Sequence, residues 1–236
     1  MLFRSEICAL ARAAGAVTCV DGVSYAPHGF PNVAALGPDV YLFSSYKTYG
    51  PHQGIMVIRR PLGEALPNQA HYFNGGTLYK RFTPAGPDHA QVAACAGMAD
   101  YVDALYHHHF KEAAGQAAGA AARAGAVHDL MRAKETALLE PLLEFLAGRR
   151  DLRLLGPRLA GRRAPTVAFA LAGPAAPAAK ALAAHGIMAG GGNFYAHRPL
   201  LAMGIDPDRG VLRMSFVHYT SFDEINRLIR ALERVL

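Results

Sequence analysis

Cysteine is scarce in this chain: Cys8, Cys19 and Cys95 are the three in 236 residues. They are far apart and odd in number. That excludes a disulfide framework or a zinc-ligand pair and points to a reducing compartment. No uninterrupted apolar run reaches the roughly 18–20 residues of a membrane-spanning helix, so an integral membrane protein is not expected. Charged residues make up only 18% of the chain and hydrophobic ones 52%. This balance excludes a disordered chain and supports a sizeable core. Gly and Pro are plentiful, at 24 and 15, but not periodic, which excludes collagen-like structure. The first residues show no charged-then-apolar leader pattern, so a cytoplasmic setting is expected.

Basic residues outnumber acidic ones, 24 to 18, for a formal charge of +6. Part of the excess lies in one run: Arg149, Arg150, Arg153, Arg158, Arg162 and Arg163. Such a run can bind phosphates. Here it lacks interleaved aromatics and is broken by Gly and Pro, so a solvated face is expected rather than a nucleic-acid surface. His107, His108 and His109 are adjacent, and neighbours on a helix point about 100° apart. They do not converge on one ion, and no metal site is expected.

The chain opens with a helical pattern capped at Ser5, with Ile7, Leu10, Ala11 and Ala14 at helical spacing and Gly15 as a stop. It thus begins inside an αβ alternation, and the expectation is a truncated gene product whose first five residues are not native. Short apolar runs predict strands at 16–20, 40–43 and 55–58, buried on both faces. Residues 61–87 read as a long functional loop region. Asp88 and Gln91 form a capping box for a helix with Val92, Cys95, Ala99 and Val102 on one side, ending near His107. An Ala/Gly-rich stretch at 113–126 precedes a long helix at 127–146, which Pro141 should kink or divide. Strands are expected at 152–155, 166–171, near 187 and at 211–216, with helices at 175–184 and 222–236. The predicted architecture is α/β, with a domain at 1–126 and a small α+β domain at 127–236.

Two segments carry chemistry. Asp21-Gly22-Val23-Ser24-Tyr25-Ala26-Pro27-His28 follows one strand, and Ser44-Ser45-Tyr46-Lys47 follows the next. Ligands collect beyond the carboxyl ends of parallel strands, so both segments should face one crevice. A lysine at the end of a buried strand is unfavourable unless paired or neutral, and a desolvated lysine is suited to a Schiff base. An aldehyde cofactor with a basic ring nitrogen and a phosphate would use the acid, the hydroxyls and the lysine together. Alternatively, Asp21 caps a turn and Lys47 extends to solvent.

These segments resemble the class V branch of the fold-type-I pyridoxal-phosphate enzymes, a group that includes the cysteine desulfurases. The resemblance rests on the Asp21-to-Lys47 separation, on Pro27-His28 and on Ser44-Ser45-Tyr46-Lys47. It continues through Tyr49-Gly50-Pro51, Ala85-Gly86-Pro87-Asp88-His89, Val211-Leu212-Arg213-Met214-Ser215 and His218-Tyr219-Thr220-Ser221. It implies that residues 1–126 are the C-terminal part of a mostly parallel, cofactor-binding large domain. It implies pyridoxal 5'-phosphate as cofactor, Lys47 as the Schiff-base lysine and Asp21 as the pyridinium partner. Ser24 would meet the ring hydroxyl, and Ser44, Tyr46 and Gly86 would lie at the phosphate. Arg213 would grip a substrate carboxylate, with Asn193 and His28 on the substrate side. The expected partners are a small amino acid and, in the full-length protein, a second copy of the chain.

The chain departs from that family's pattern in four places. Tyr46 stands where a His is usual, and Gly86 where a Thr reaches a phosphate across the dimer. The loop at 190–197, Gly-Gly-Gly-Asn-Phe-Tyr-Ala-His, lacks the persulfide-forming cysteine. It contributes Asn193, Tyr195 and His197 to the substrate side, or is a Gly-rich turn followed by ordinary packing. Cys8, Cys19 and Cys95 are expected in the core. Roughly the first two fifths of such an enzyme is absent. The expected function is a pyridoxal-phosphate enzyme working without a persulfide, by transamination, β-elimination or epimerisation. The alternative is a catalytically incomplete fragment or scaffold with half of the cofactor site.

Overall fold

The structure is a computed structural model and describes residues 2–83, 86–110 and 119–236, with side chains from residue 5 onward. The chain divides into two compact units, Met1–Asp129 and Leu130–Leu236.

The first unit opens with α1 (Leu2–Ala13) and β1 (Cys19–Asp21), followed by α2 (Val33–Leu36), β2 (Val40–Ser44) and β3 (Gly54–Ile58). Its sheet has the order β1-β2-β3. β1 and β2 are parallel, with Cys19 opposite Val40 and Asp21 opposite Leu42. β2 and β3 are antiparallel, with Val40 opposite Ile58 and Ser44 opposite Gly54. The sheet is therefore mixed rather than mostly parallel. Asp39 locks its start: Oδ2 accepts from the Thr18 N–H at 2.9 Å and from the Thr18 hydroxyl at 2.8 Å. Those two bonds hold the Asp39 carboxyl below the usual aspartate range.

β2 and β3 lie within one residue of their predicted bounds, but burial on both faces is not found. β1 and β3 are the outer strands, and Met56 and Val57 are 40% and 43% exposed. A β-branched run marks a strand without saying which faces are covered. β1 also starts later than expected, and Val17 is exposed. α1 begins at Leu2, so Ser5 lies inside it rather than capping it. Cys8 of that helix is buried, and Ile7 and Leu10 are exposed.

The expected long loop contains α3 (Arg60–Ala65) and two single 3-10 turns, Tyr72–Asn74 and Leu78–Lys80. Arg81 stitches it together, donating to the carbonyls of Gly63, Glu64 and Leu66 at 3.2, 3.0 and 2.6 Å. Asp88 caps α4 (His89–Ala94) through the Gln91 N–H, and the Gln91 side chain returns to Asp88. α5 (Ala96–His109) buries Met98, Val102 and Tyr106, whereas Val92 is exposed. The apolar face is thus shifted from the predicted one, because α4 and α5 are separate helices joined at Cys95. Residues 113–118 of the Ala/Gly-rich stretch lie outside the described residues. α6 (Ala120–Ala147) is one 28-residue helix that starts earlier than predicted and contains Pro141 without being divided. Arg123 holds its start to α5 through a two-pronged pair with Asp103, both contacts 2.8 Å.

The second unit adds β4 (Leu152–Leu155), β5 (Thr166–Leu171), α7 (Ala175–Ala184), β6 (Gly190–Gly192), α8 (His197–Ala202), β7 (Val211–Ser215) and α9 (Phe222–Val235). Its antiparallel sheet has the order β4-β5-β7-β6. Phe169, Val167 and Leu212 pack with Leu138, Leu139 and Leu142 of α6 and with Ile225 and Leu232 of α9 in the main core. This is the α+β unit the sequence predicts. Two elements differ: the strand expected near Ile187 lies at Gly190–Gly192, and α8 was not expected. Neither the glycines nor the short, Pro-containing α8 carries a periodic apolar signal.

The arginine run is not simply a solvated face. Arg149 pairs with Asp151, and Arg153 donates to the Met203 carbonyl at 2.7 Å. Arg163 donates to the carbonyls of Pro157 and Thr166 at 2.9 and 2.8 Å. Half of the run is committed to the fold itself.

Candidate functional site

Parallel pairing brings the carboxyl ends of β1 and β2 to one side of the first sheet. Asp21 closes β1 opposite Leu42, and β2 continues to Ser44 and into the 3-10 turn Ser45–Lys47. Asp21 is exposed, and its Oδ1 accepts from the Val23 N–H at 2.9 Å. Its Oδ2 has no hydrogen bond among the described residues. The backbone then turns tightly, with the Gly22 N–H bonded to the Leu42 carbonyl at 2.7 Å. A Cβ at Gly22 would stand 2.1 Å from the Tyr41 phenol oxygen, so glycine is what lets the chain pass over this buried ring. Ser24 is exposed beyond it. His28, in the turn Ala26–His28, is 2% exposed and meets Tyr25 edge-on.

The second segment alternates anchored and presented residues. Ser45 is fully buried, its hydroxyl between the carbonyls of Pro51 and Gln53 at 2.5 and 2.8 Å. The Thr48 hydroxyl donates to the Ser44 carbonyl at 3.1 Å. Tyr49, in left-handed backbone at φ 65°, donates its phenol proton to the Pro27 carbonyl at 2.6 Å. That bond ties the two segments together. Between these anchors, Tyr46 and Lys47 are exposed and Ser44 is half-buried. Tyr46 stacks on His52, centroids 4.7 Å apart and planes within 3°. Lys47 Nζ lies 5.7 Å from the Tyr46 ring centre and has no ion pair or hydrogen bond among the described residues. The burial argued for Lys47 from its strand-end position is not found. The turn that follows β2 carries it out of the sheet.

Gly86 is exposed, with open space at its missing side chain. Ala85, beside it in the motif, lies outside the described residues. In the second unit, Arg213 is exposed in the middle of β7, its guanidinium 3.8 Å over the centre of the Phe194 ring. Asn193 Oδ1 accepts from the Tyr195 N–H at 3.2 Å. Asp21, Ser24, Ser44, Tyr46 and Lys47 are thus gathered within the first unit, and Asn193 and Arg213 within the second. Cys8 is buried and Cys95 half-buried, but Cys19 is exposed at the start of an outer strand, contrary to the expected core position. Sequence reasoning missed His52 and Phe194. A stacked ring six residues away leaves no periodic trace, and Phe194 reads as a hydrophobe in a glycine-rich turn.

The family model "Aminotransferase class-V" matches residues 3–228. The aminotransferase-like protein FGM3 of Gibberella zeae is 31% identical over 229 residues, covering 94% of this chain and 52% of that protein. A probable cysteine desulfurase of Xylella fastidiosa is 30% identical over 237 residues, covering 98% of this chain and 52% of that protein. The chain therefore spans about half the length of the curated relatives it matches. The solved structure of the cysteine desulfurase CsdA from Escherichia coli superposes with a TM-score of 0.73 at 23% identity, covering 98% of this chain and 54% of that one. The fold is that of a portion of a fold-type-I enzyme. With the family model matched across nearly the whole chain, this protein belongs to the class-V aminotransferase family.

Proposed function

We propose that residues 1–126 are the C-terminal part of a pyridoxal-phosphate-binding domain and residues 127–236 its small domain, together serving an enzyme of small amino acids. The observation that carries this reading is the shared carboxyl end of β1 and β2: Asp21, whose Oδ2 has no hydrogen bond among the described residues, closes β1, and Lys47, whose amine has none either, stands in the turn that follows β2. The donor set fits the cofactor: a carboxylate for a protonated ring nitrogen, an amine for an aldehyde, and hydroxyl donors for phosphate oxygens.

Bound there, the cofactor supplies an aldehyde that condenses with amines and a ring that withdraws electrons from the substrate α-carbon. Asp21 Oδ2 would keep a proton on the ring nitrogen, and Ser24 would donate to the ring hydroxyl. Ser44 and the Tyr46 phenol would donate to phosphate, with the Gly86 backbone reaching it across the dimer. Lys47 Nζ is the amine that would hold the cofactor's aldehyde, and it is the base this reading assigns to the substrate α-proton. Arg213 would bind a substrate carboxylate through its two-pronged donor edge, with Asn193 in the same unit. The 190–197 loop holds no thiol, so the reading excludes a persulfide relay. Transamination, β-elimination and epimerisation follow equally from loss of the α-proton. A homodimer in the cytoplasm is the setting this reading implies.

The exposure of Asp21, Ser24 and Lys47, with the half-length match, favours a second reading: a scaffold that keeps half of the site. Titration of the chain with pyridoxal phosphate, followed by absorbance and borohydride trapping, separates the two. A visible band and a trapped adduct at Lys47, both lost in Lys47→Ala, are expected. No band, or an adduct that persists elsewhere in Lys47→Ala, overturns the assignment.

A further inference from the structure

The turn after β6 holds two consecutive aromatic residues in left-handed backbone, Phe194 at φ 50° and Tyr195 at φ 62°. Residues with a Cβ rarely take this region, and where they do, surrounding contacts must hold them there. Here the contacts converge on Phe194. Asn193 Oδ1 accepts from the Tyr195 N–H, and the Asn193 carbonyl accepts from the Ala196 N–H at 2.8 Å. Phe194 packs against the small buried cluster of Leu200, Ile205 and Val211. Its ring lies under Arg213 at 3.8 Å. Tyr195, by contrast, is fully exposed. The strained turn therefore holds Phe194 in one place.

Gly190 makes room for it. Gly190 on β6 and Ala168 on β5 are the register partners of Arg213 on β7. A Cβ at Gly190 would stand 2.8 Å from Phe194 Cε1. The volume beside Arg213 that a side chain at 190 would take is filled by the Phe194 ring. A ring over the flat face of a guanidinium attracts the cation and leaves the N–H groups along its edges available. Arg213 spends none of those donors on hydrogen bonds or ion pairs among the described residues.

We propose that Phe194 is the positioning residue of a carboxylate site at Arg213. Held by the left-handed turn and the gap at Gly190, it orients the guanidinium so that its donor edge meets a planar carboxylate. This rests on the Arg213 reading above and deepens it. A long arginine side chain loses conformational freedom when a ligand orders it, and a ring that orders it beforehand lowers that loss.

The test is an acetate titration of the full chain, read on the Arg213 Nε–H signal by NMR, with circular dichroism to confirm folding. In the wild type the signal carries a ring-current shift and moves saturably with acetate. Phe194→Leu removes the ring-current shift and weakens acetate binding about two- to fivefold, the exposed cation–π range expressed as a ratio. Phe194→Tyr restores both. Gly190→Ala, which leaves Phe194 in the sequence but crowds its ring, weakens binding in the same direction. A folded Phe194→Leu variant with unchanged acetate affinity overturns the positioning role and leaves the Arg213 site standing. An Arg213 signal that does not respond to acetate in the wild type overturns the carboxylate site and this inference with it.

Discussion

The Tyr25 phenol and His128 Nε2 stand 2.7 Å apart, although the residues are 103 positions apart in the chain. His128 is 7% exposed, and its Nδ1 faces Asp129 Oδ1 at 3.2 Å. The turn that carries Ser24 is thereby fastened to α6. Tyr25 adjoins Ser24 directly, so this contact governs how firmly the segment beyond Asp21 is held.

Tyr25→Phe keeps the ring and deletes the hydroxyl, leaving His128 Nε2 without that partner. A lost hydrogen bond with a partly buried, unsatisfied group costs about 1–2 kcal/mol. Urea denaturation is expected to show a lower midpoint with an unchanged slope. An unchanged midpoint would mean that the clasp contributes nothing to stability.

His52→Ala removes the stack that orients Tyr46. An aromatic pair of this kind contributes about 0.5–1.5 kcal/mol. Pyridoxal-phosphate affinity, read from the absorbance titration, should fall accordingly, while His52→Phe should retain it. Equal affinity in His52→Ala would remove the stack from the phosphate side of the site.

Arg213→Ala deletes the carboxylate partner without touching Asp21 or Lys47. Amino-acid binding should weaken by about 1.5–3 kcal/mol, the range of a charge-assisted contact, with pyridoxal-phosphate affinity unchanged. Calorimetry or the spectral response to an added amino acid reads the difference. Unchanged amino-acid affinity would take Arg213 out of the site.

Ser221 caps α9 through a reciprocal pair with Glu224: the Glu224 N–H bonds the Ser221 hydroxyl oxygen, and Glu224 Oε2 accepts from the Ser221 N–H at 2.7 Å. Ser221→Ala should lower stability at pH 7 by about 1 kcal/mol. The Ser221 backbone N–H and then its hydroxyl hold the Glu224 carboxyl below its usual 4.5. A depressed folded pKa contributes stability above the unfolded value, and that contribution is lost as pH falls through the folded one. The gap between wild type and Ser221→Ala should therefore narrow below about pH 4, read from thermal midpoints at pH 7 and pH 3. A gap that widens in acid would contradict the assignment.

The sequence by itself determined most of the elements and their order. β4, β5 and α7 lie at their predicted bounds, and β2, β3, β7 and α9 lie within a residue of theirs. Those segments combine a clear apolar period with a cap or turn at each end, so local chemistry specifies them. It also determined which residues are candidates, because an Asp and a Lys at successive strand ends, and an Arg within a strand, are legible as types and spacings. β6, α8 and the true start of α6 were not legible. Glycines and alanines have no period to read, and their state is decided by what packs on them. Tertiary structure alone decided the rest: that β3 returns antiparallel, that Lys47 stands exposed while Ser45 two residues before it is buried, that Tyr46 stacks on His52, and that Phe194 lies beneath Arg213. Each of these depends on a contact between residues whose spacing follows no helical or strand period, or on which way a short turn points its side chains, and no local pattern in the chain encodes either.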